Sequence, residues 1–216
     1  HELGDYRSRW CRLHEVVLEG DSGEFFSATL SDYARVVPEV RRQFQRLRPE
    51  MYRTIRGLED GEDFDLGAVN EARVAVRARR SPSTKLYRAR VREVRDVATL
   101  FLLDMSASTD EPLALPGPGR PVRRIIDVTK EALVIMAEAL EELGDAYAIY
   151  GFSGQGRDNV EVYPVKGFGE ALGSTVKARI GGIVPRRSTR MGAALRHAVE
   201  KMSGVSARVK HLMLLS

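Results

Sequence analysis

The stretch that decides the fold is Val97–Ser108, which reads VATLFLLDMSAS. Its first part, Val97–Leu103, is an unbroken apolar run, which is typical of a strand covered on both faces in a parallel sheet. A carboxylate and two hydroxyls follow at alternate positions, at Asp104, Ser106 and Ser108. Alternate residues of an extended chain can point to one side. We therefore expect three oxygen donors on one loop at the carboxyl end of this strand.

Beyond this strand the sequence alternates between helical and strand patterns. A Pro- and Gly-rich turn precedes a helix predicted over Val122–Leu143, which Gly144 ends. The further predicted elements are two strands, Ala146–Phe152 and Asn159–Val165, joined as a hairpin, helices near Glu170–Ile180 and Met191–Met202, and the strand Val209–Leu215. This alternation predicts an α/β fold with a doubly wound, Rossmann-like sheet, in which ligands bind outside the carboxyl ends of the strands.

The chain before this region is predicted to be a smaller mixed extension, residues 1–95, that packs on or links to the main domain over residues 96–216. Its predicted elements are an extended segment, Asp5–Glu19, a helix from Thr29 or Ser31 to Leu47, an acidic loop, Gly57–Asp65, and a helix, Leu66–Arg79, capped by Asp65. It contains no paired His and carboxylate spacing and no Gly-rich phosphate loop, so we expect no catalytic site in it.

Composition excludes several classes of protein. The 216 residues are 43% hydrophobic and 30% charged, which is enough apolar material for a core. The one cysteine, Cys11, excludes an internal disulfide and a multi-Cys zinc site and fits a reducing cytosol. No apolar run approaches the ~20 residues that span a bilayer, and no signal-peptide pattern opens the chain. The sequence therefore predicts a cytoplasmic protein without membrane insertion.

The charge balance argues against nucleic-acid binding. There are 34 Lys and Arg residues against 30 Asp and Glu residues, a small excess. The basic residues cluster over 71–96, with nine against three acids, and over 184–211, with seven against one. Such clusters are usually solvated faces, and the alternative is a surface for an acidic partner. No aromatic ladder or recognised nucleic-acid motif accompanies them.

The oxygen donors at 104, 106 and 108 suit a hard cation, Mg²⁺, with Mn²⁺ and Ca²⁺ taking the same kind of ligand. Thr189 adds a hydroxyl just before a later helix, at a second loop of the same sheet edge. A site with two neutral hydroxyls and few carboxylates leaves the ion positively charged with open positions. Such an ion binds an incoming carboxylate well and activates water poorly. The alternative is a turn capped by Asp104 with incidental serines, since Ser and Asp are common in turns.

Three arginines, Arg186, Arg187 and Arg190, bracket Thr189. They are either part of a solvated loop or a positive field around the metal that attracts an acidic partner surface. In the second case they would add association rate and specificity more than affinity.

These positions resemble the metal-ion-dependent adhesion site of the von Willebrand factor A domain. Asp104, Ser106 and Ser108 match its Asp-x-Ser-x-Ser element, and Thr189 matches the threonine of its second metal loop. The third loop of that family supplies an Asp, which would come directly after Ser216. The resemblance therefore implies a von Willebrand factor A domain that is truncated at its C-terminal end.

Four further stretches narrow the resemblance to the CbbO/NorD group: Tyr6–Cys11, Arg95–Val97, Gly156–Asp158 and Ser188–Ala198. The group implies a partner, a hexameric MoxR-type AAA+ ATPase. CbbO with CbbQ forms a Rubisco activase, whereas NorD with NorQ serves maturation of nitric oxide reductase. The hairpin turn and Arg187-Ser188-Thr189 look closer to CbbO. The expected function is thus a non-enzymatic adaptor whose Mg²⁺ binds an acidic residue of the Rubisco large subunit, with a NorD-like accessory role as the alternative.

Two features of the sequence argue against an enzymatic function. The chain lacks a Gly-x-x-x-x-Gly-Lys-Ser/Thr loop, so we expect it to depend on a partner for ATP hydrolysis. A Mg²⁺-dependent phosphatase of the aspartyl-phosphate type would keep its nucleophile at Asp104. Such enzymes use a second Asp two residues on, where this chain has Ser106. The sequence therefore predicts no catalytic residue.

Overall fold

The computed structural model describes residues 10–46, 52–92, 96–113 and 122–216. They fall into two compact units. The larger unit, which we call the sheet unit, comprises residues 10–46 together with the described residues from 96 onward. The smaller unit comprises residues 52–92.

The strands are β1 (Leu13–Glu15), β2 (Tyr52–Leu58), β3 (Asp63–Phe64), β4 (Tyr87–Arg92), β5 (Val97–Asp104), β6 (Ala146–Gln155), β7 (Asn159–Lys166) and β8 (Val209–Leu215). The helices are α1 (Glu24–Asp32), α2 (Val37–Arg46), α3 (Leu66–Arg77), α4 (Ile125–Leu143), α5 (Ser174–Gly181) and α6 (Met191–Ser203). Over the described ranges, no helix combines the length and apolarity that a membrane span requires.

The sheet unit is built on five strands in the order β1-β7-β6-β5-β8. β5 pairs in parallel with β6 on one side and β8 on the other, and β1 pairs in parallel with β7. β6 and β7 form the predicted antiparallel hairpin. The sheet is therefore parallel at three of its four strand pairs, as the alternation of helices and strands predicted, with one antiparallel step.

Apolar clusters cover both faces of this sheet. Phe101 and Leu103 of β5 lie in one cluster with residues of α1, α4 and α5. Leu100 and Leu102 lie in a second cluster with residues of α6. Because successive strand residues face opposite sides, an apolar run is what a strand covered on both faces requires. The prediction for Val97–Leu103 is confirmed.

Residues 10–46 belong to the sheet unit, whereas the sequence analysis placed them in an extension over residues 1–95. β1 adds to β7 at the edge of the sheet, with Leu13 opposite Val160. Phe26 of α1 is buried in the α4-side cluster. α2 is held to α4 by Arg41, which pairs with Glu138 at 3.1 Å and with a second carboxylate of α4 at 2.9 Å.

The helix predicted from Thr29 or Ser31 is in fact two helices. Thr29 lies inside α1, where its hydroxyl donates to the Phe25 carbonyl at 2.8 Å rather than capping a helix. Pro38 lies in the first turn of α2, where its missing N–H costs no helical hydrogen bond, so the chain restarts there instead of continuing. The predicted end at Leu47 and the motif residues Tyr6–Arg9 lie outside the described residues.

The smaller unit is a three-stranded antiparallel sheet, in the order β2-β4-β3, with α3. Asp65 caps α3 as predicted, because its Oδ1 accepts from the Gly67 N–H at 3.1 Å. The acidic stretch predicted as a loop includes the end of β2 and all of β3.

Candidate metal centre

The structure brings the four predicted ligands together at the carboxyl end of β5. The Ser106 N–H donates to Asp104 Oδ1 at 2.8 Å, and Thr189 Oγ1 donates to Asp104 Oδ2 at 3.2 Å. The Ser106 and Ser108 hydroxyl oxygens are 2.9 Å apart. Ser108 lies in a short 3₁₀ turn, Ala107–Asp110, that follows the strand. One carboxylate and three hydroxyls thus form a continuous hydrogen-bonded cluster.

Main-chain hydrogen bonds fix the Thr189 loop against the Asp104 loop. The Arg186 N–H donates to the Met105 carbonyl at 2.6 Å, and the Ala107 N–H donates to the Arg187 carbonyl at 2.6 Å. These two bonds run in opposite directions between the loops. They hold Thr189 beside Asp104 although the two residues are far apart in sequence.

A second set of main-chain bonds ties both loops to the end of β6. Gly154 and Ser188 exchange two hydrogen bonds, at 2.7 and 3.0 Å. The Met105 N–H donates to the Phe152 carbonyl at 2.9 Å. The cluster therefore stands on three neighbouring segments of one sheet edge, which is where the α/β fold class places ligands.

The cluster is buried on one side and open on the other. Asp104 is 5% exposed and Ser106 is 2% exposed. Ser108 and Thr189 are exposed. An incoming group can therefore approach from the hydroxyl side, while the carboxylate is held rigidly beneath it.

The donor set fits Mg²⁺ by chemistry and by spacing. In an octahedral Mg²⁺ site with bonds of about 2.1 Å, neighbouring oxygens lie about 3 Å apart. The Ser106–Ser108 oxygen distance of 2.9 Å and the Thr189–Asp104 distance of 3.2 Å are hydrogen-bond distances that are also compatible with this spacing. Within the described part of the chain, no three His, Cys, Asp or Glu side chains gather at a metal-binding distance. A metal here would thus depend on the hydroxyls.

Two of the three bracketing arginines have partners within the chain. Arg187 pairs with Glu161 at 3.8 Å, and the Arg186 guanidinium stacks over the Tyr163 ring at 4.7 Å from its centroid. Arg190 is exposed at the start of α6, and the described residues give it no ion pair. The positive charge of Arg187 is therefore partly balanced, and Arg190 is the arginine most open to a partner.

Sequence reasoning missed Glu161 and Tyr163, which anchor these arginines. The Tyr163 hydroxyl donates to Glu161, and burial, together with that bond, raises the pKa of Tyr163. The available signal was the hairpin register, which places Glu161 opposite Ser153. Because the end of β6 is hydrogen-bonded to the Thr189 loop, a residue opposite that end lies near the loop as well.

Comparisons with known proteins point in one direction. No family model matches the chain. It is 38% identical over 181 residues to a protein named NorD from Brucella abortus (strain 2308), covering 84% of this chain and 27% of that protein. It is 33% identical over 187 residues to a protein named NorD from Stutzerimonas stutzeri, covering 87% of this chain and 29% of that protein. An uncharacterized protein from Pseudomonas aeruginosa is 36% identical over 214 residues, covering 98% of this chain and 34% of that protein.

Among solved structures, a mutant of the PilB minor pilin from Streptococcus sanguinis aligns with a TM-score of 0.47 and 23% identity, over 57% of this chain and 30% of that one. This likeness is too low to carry an argument. The chain spans about a third or less of the length of the curated relatives it matches. Over most of its own length, this chain is a relative of the proteins named NorD.

Proposed function

We propose that this chain is the metal-binding part of a NorD-like accessory protein that grips an acidic residue of a partner protein through Mg²⁺. The observation that carries the proposal is the convergence of Asp104, Ser106, Ser108 and Thr189 at one sheet edge. The similarity to proteins named NorD supports the accessory role.

The four proposed ligands differ in charge and in exposure to solvent. Asp104 supplies the one negative charge, and its buried position and the Ser106 N–H fix its orientation. The hydroxyls of Ser108 and Thr189 are neutral and face solvent. A bound Mg²⁺ would therefore keep net positive charge and supply an acceptor for a carboxylate of the partner.

The comparisons reorder the partners that the sequence suggested. The Rubisco large subunit, with a CbbQ-like ATPase, came first from the sequence, but the relatives carry the name NorD. We therefore propose nitric oxide reductase as the target and a MoxR-type AAA+ ATPase as the source of energy. In this proposal the ATPase supplies the energy because the sequence of this chain has no Gly-x-x-x-x-Gly-Lys-Ser/Thr loop.

The metal assignment is tested by Asp104→Ala. We expect Mg²⁺ binding to be lost and the chain still to fold, with a free energy of unfolding lowered by about 1–3 kcal/mol because the buried Ser106 N–H loses its acceptor. Calorimetric titration with Mg²⁺ measures the first quantity and urea unfolding the second. The matched control is Asp110→Ala. Asp110 lies in the 3₁₀ turn that carries Ser108, and its carboxylate pairs with Arg124. Equal Mg²⁺ affinity in wild type and Asp104→Ala would contradict the assignment of Asp104 as a metal ligand.

The accessory role is tested by reductase maturation in cells that carry Ser106→Ala with Ser108→Ala in the complete protein. A truncated charge-assisted contact costs on the order of 2–5 kcal/mol, so we expect maturation to fail. A pull-down with the ATPase, run beside it, should be unaffected. Normal maturation contradicts the metal-bridge mechanism, and loss of the ATPase from the pull-down means that the metal edge faces the ATPase.

A further inference from the structure

An apolar groove runs along α3 in the smaller unit, whereas the cluster around Asp104 belongs to the sheet unit. It has a volume of 390 Å³. Its apolar lining comes from three residues of α3 and two of the segment that follows the helix: Val69, Ala72, Val76, Pro82 and Leu86. The groove therefore lies within one unit and has the size that several apolar side chains of a ligand would fill.

α3 offers this surface because nothing in the described structure covers it. The 12-residue helix has no buried residue. Leu66, Val74 and Val76 are 77%, 60% and 59% exposed. Isolated helices of this length are marginal in water, and most helical stability in proteins comes from packing an apolar face. Exposed apolar surface of this kind marks interaction sites.

The rim of the groove is strongly basic. Arg73 and Arg77 line the groove themselves, and Arg79 and Arg80 follow the end of the helix. Residues 66–92 contain eight Lys and Arg residues and one acid, Glu71. Over the described ranges, none of these four arginines, two lining the groove and two next to them in the chain, has an ion pair. This is the basic cluster that the sequence singled out and that the metal site leaves unexplained.

Arg79 has a backbone conformation that its side chain disfavours. Its φ is +58°, and it is the one non-glycine residue with a positive φ in the described structure. The Arg80 N–H donates to the Ala75 carbonyl at 2.8 Å, which closes the helix end. Glycine is the usual residue at such a position. Residues in this backbone region cluster at functional sites.

We infer that this groove is a docking surface for an acidic segment of a partner protein. The segment would place two or three apolar side chains in the groove and its carboxylates against Arg73, Arg77 and Arg79. The apolar lining decides against a nucleic acid, because a phosphate backbone needs cations and stacking surfaces but no aliphatic groove. The inference is independent of the metal site.

The test selects phage-displayed random 16-residue peptides on the immobilised chain, and measures the enriched peptides by fluorescence anisotropy at 150 mM salt. We expect peptides that combine Asp and Glu with spaced apolar residues. Arg73→Glu with Arg77→Glu, and separately Val76→Glu, should weaken their binding about tenfold or more. All three positions are exposed, so folding should survive. The matched control is Arg90→Glu, the same charge change in the same unit but on β4, which should leave the affinity nearly unchanged.

Arg79→Gly separates binding from folding. It should raise the midpoint of unfolding, because glycine relieves the strained backbone, and at the same time weaken the peptide severalfold. A gain in stability without loss of peptide affinity would overturn the role of Arg79.

Three other outcomes overturn the proposal as a whole. The first is enrichment of peptides without acidic residues, or no enrichment. The second is binding of a 20-nucleotide single-stranded DNA that is tighter than any peptide and is lost in Arg73→Glu with Arg77→Glu, which identifies a nucleic-acid surface. The third is a dimer in sedimentation velocity that Val76→Glu dissociates, which means that a second copy occupies the groove.

Discussion

At the scale of single residues, the glycine at position 151 makes room for the Met105 side chain, which lies next to the proposed metal ligands in the chain. A Cβ built on Gly151 would lie 2.2 Å from Met105 Sδ. Met105 is fully buried and comes between Asp104 and Ser106 in the chain. Any residue larger than glycine at 151 therefore displaces the side chain between two ligands.

Gly151→Ala should destabilise the protein by about 1–3 kcal/mol, the usual cost of overpacking a core. It should also weaken Mg²⁺ binding, because Met105 cannot move without shifting its neighbours. Urea unfolding and calorimetry measure the two effects. Gly167→Ala is the control, since a Cβ there meets no atom within 4 Å. If both variants unfold like wild type, Met105 has another rotamer available and the packing argument is wrong.

At the scale of elements, one carboxylate joins the edge strand β1 to α6. Glu15 Oε1 lies 2.7 Å from His197 Nε2 and 2.7 Å from Lys201 Nζ. The hydrogen bond from Lys201, followed by that from His197, holds the pKa of Glu15 below its ordinary value of 4.5, although burial opposes the shift. β1 is only three residues long, so this contact supplements few ladder hydrogen bonds.

This contact predicts an acid-sensitive contribution to stability. A carboxyl whose folded pKa is depressed stabilises the fold above its unfolded pKa, and this stabilisation is lost as the pH falls through the folded pKa. Glu15→Gln should therefore lower the urea midpoint at pH 7, and the difference from wild type should shrink at pH 3. Glu19→Gln, at an exposed position of the same segment, serves as the control. A difference that is equal at both pH values means that the charge of Glu15 is not what stabilises the contact.

At the scale of the whole molecule, the central sheet separates two apolar clusters. Leu133 of α4 belongs to one cluster and Met202 of α6 to the other. Both side chains are buried, and the two clusters have no buried residue in common. Mutations on opposite sides of the sheet should therefore act independently.

Leu133→Ala and Met202→Ala should each cost about 2–5 kcal/mol in the free energy of unfolding. The double variant should lose the sum of the two to within about 0.5 kcal/mol. Urea unfolding of the four proteins completes the cycle. A coupling well above this margin would show that the two faces repack together.

The sequence predicted the centre of the molecule better than its edges. The apolar run of β5 and the alternate oxygen donors after it are local signals, so the strand and the placement of Asp104, Ser106 and Ser108 followed from them. Thr189 followed from a second loop at the same sheet edge. The part played by residues 10–46 did not follow, because a strand as short as β1 is defined by its partner β7, far away in the sequence.

The strands of the smaller unit were missed for a different physical reason. β4 alternates in period 2, as Arg88-Ala89-Arg90-Val91-Arg92, but its polar positions are all arginine. The high positive charge obscures this alternation as a strand signal. The pairing partner β2 carries arginines as well. The contacts of Arg186 and Arg187 with the hairpin likewise depend on register, which charge patterns alone do not fix.

The loop that carries Thr189 is tied to its neighbouring segments by main-chain hydrogen bonds, in addition to the contacts of its side chains. The bonds at 186, 187 and 188 to Met105, Ala107 and Gly154 use only N–H and carbonyl groups. These main-chain bonds do not require a particular side chain at the three positions, so they can persist when a surface residue there is substituted. Under the proposed function, related chains could therefore differ in the partner surface they contact and still keep the same backbone arrangement around Thr189.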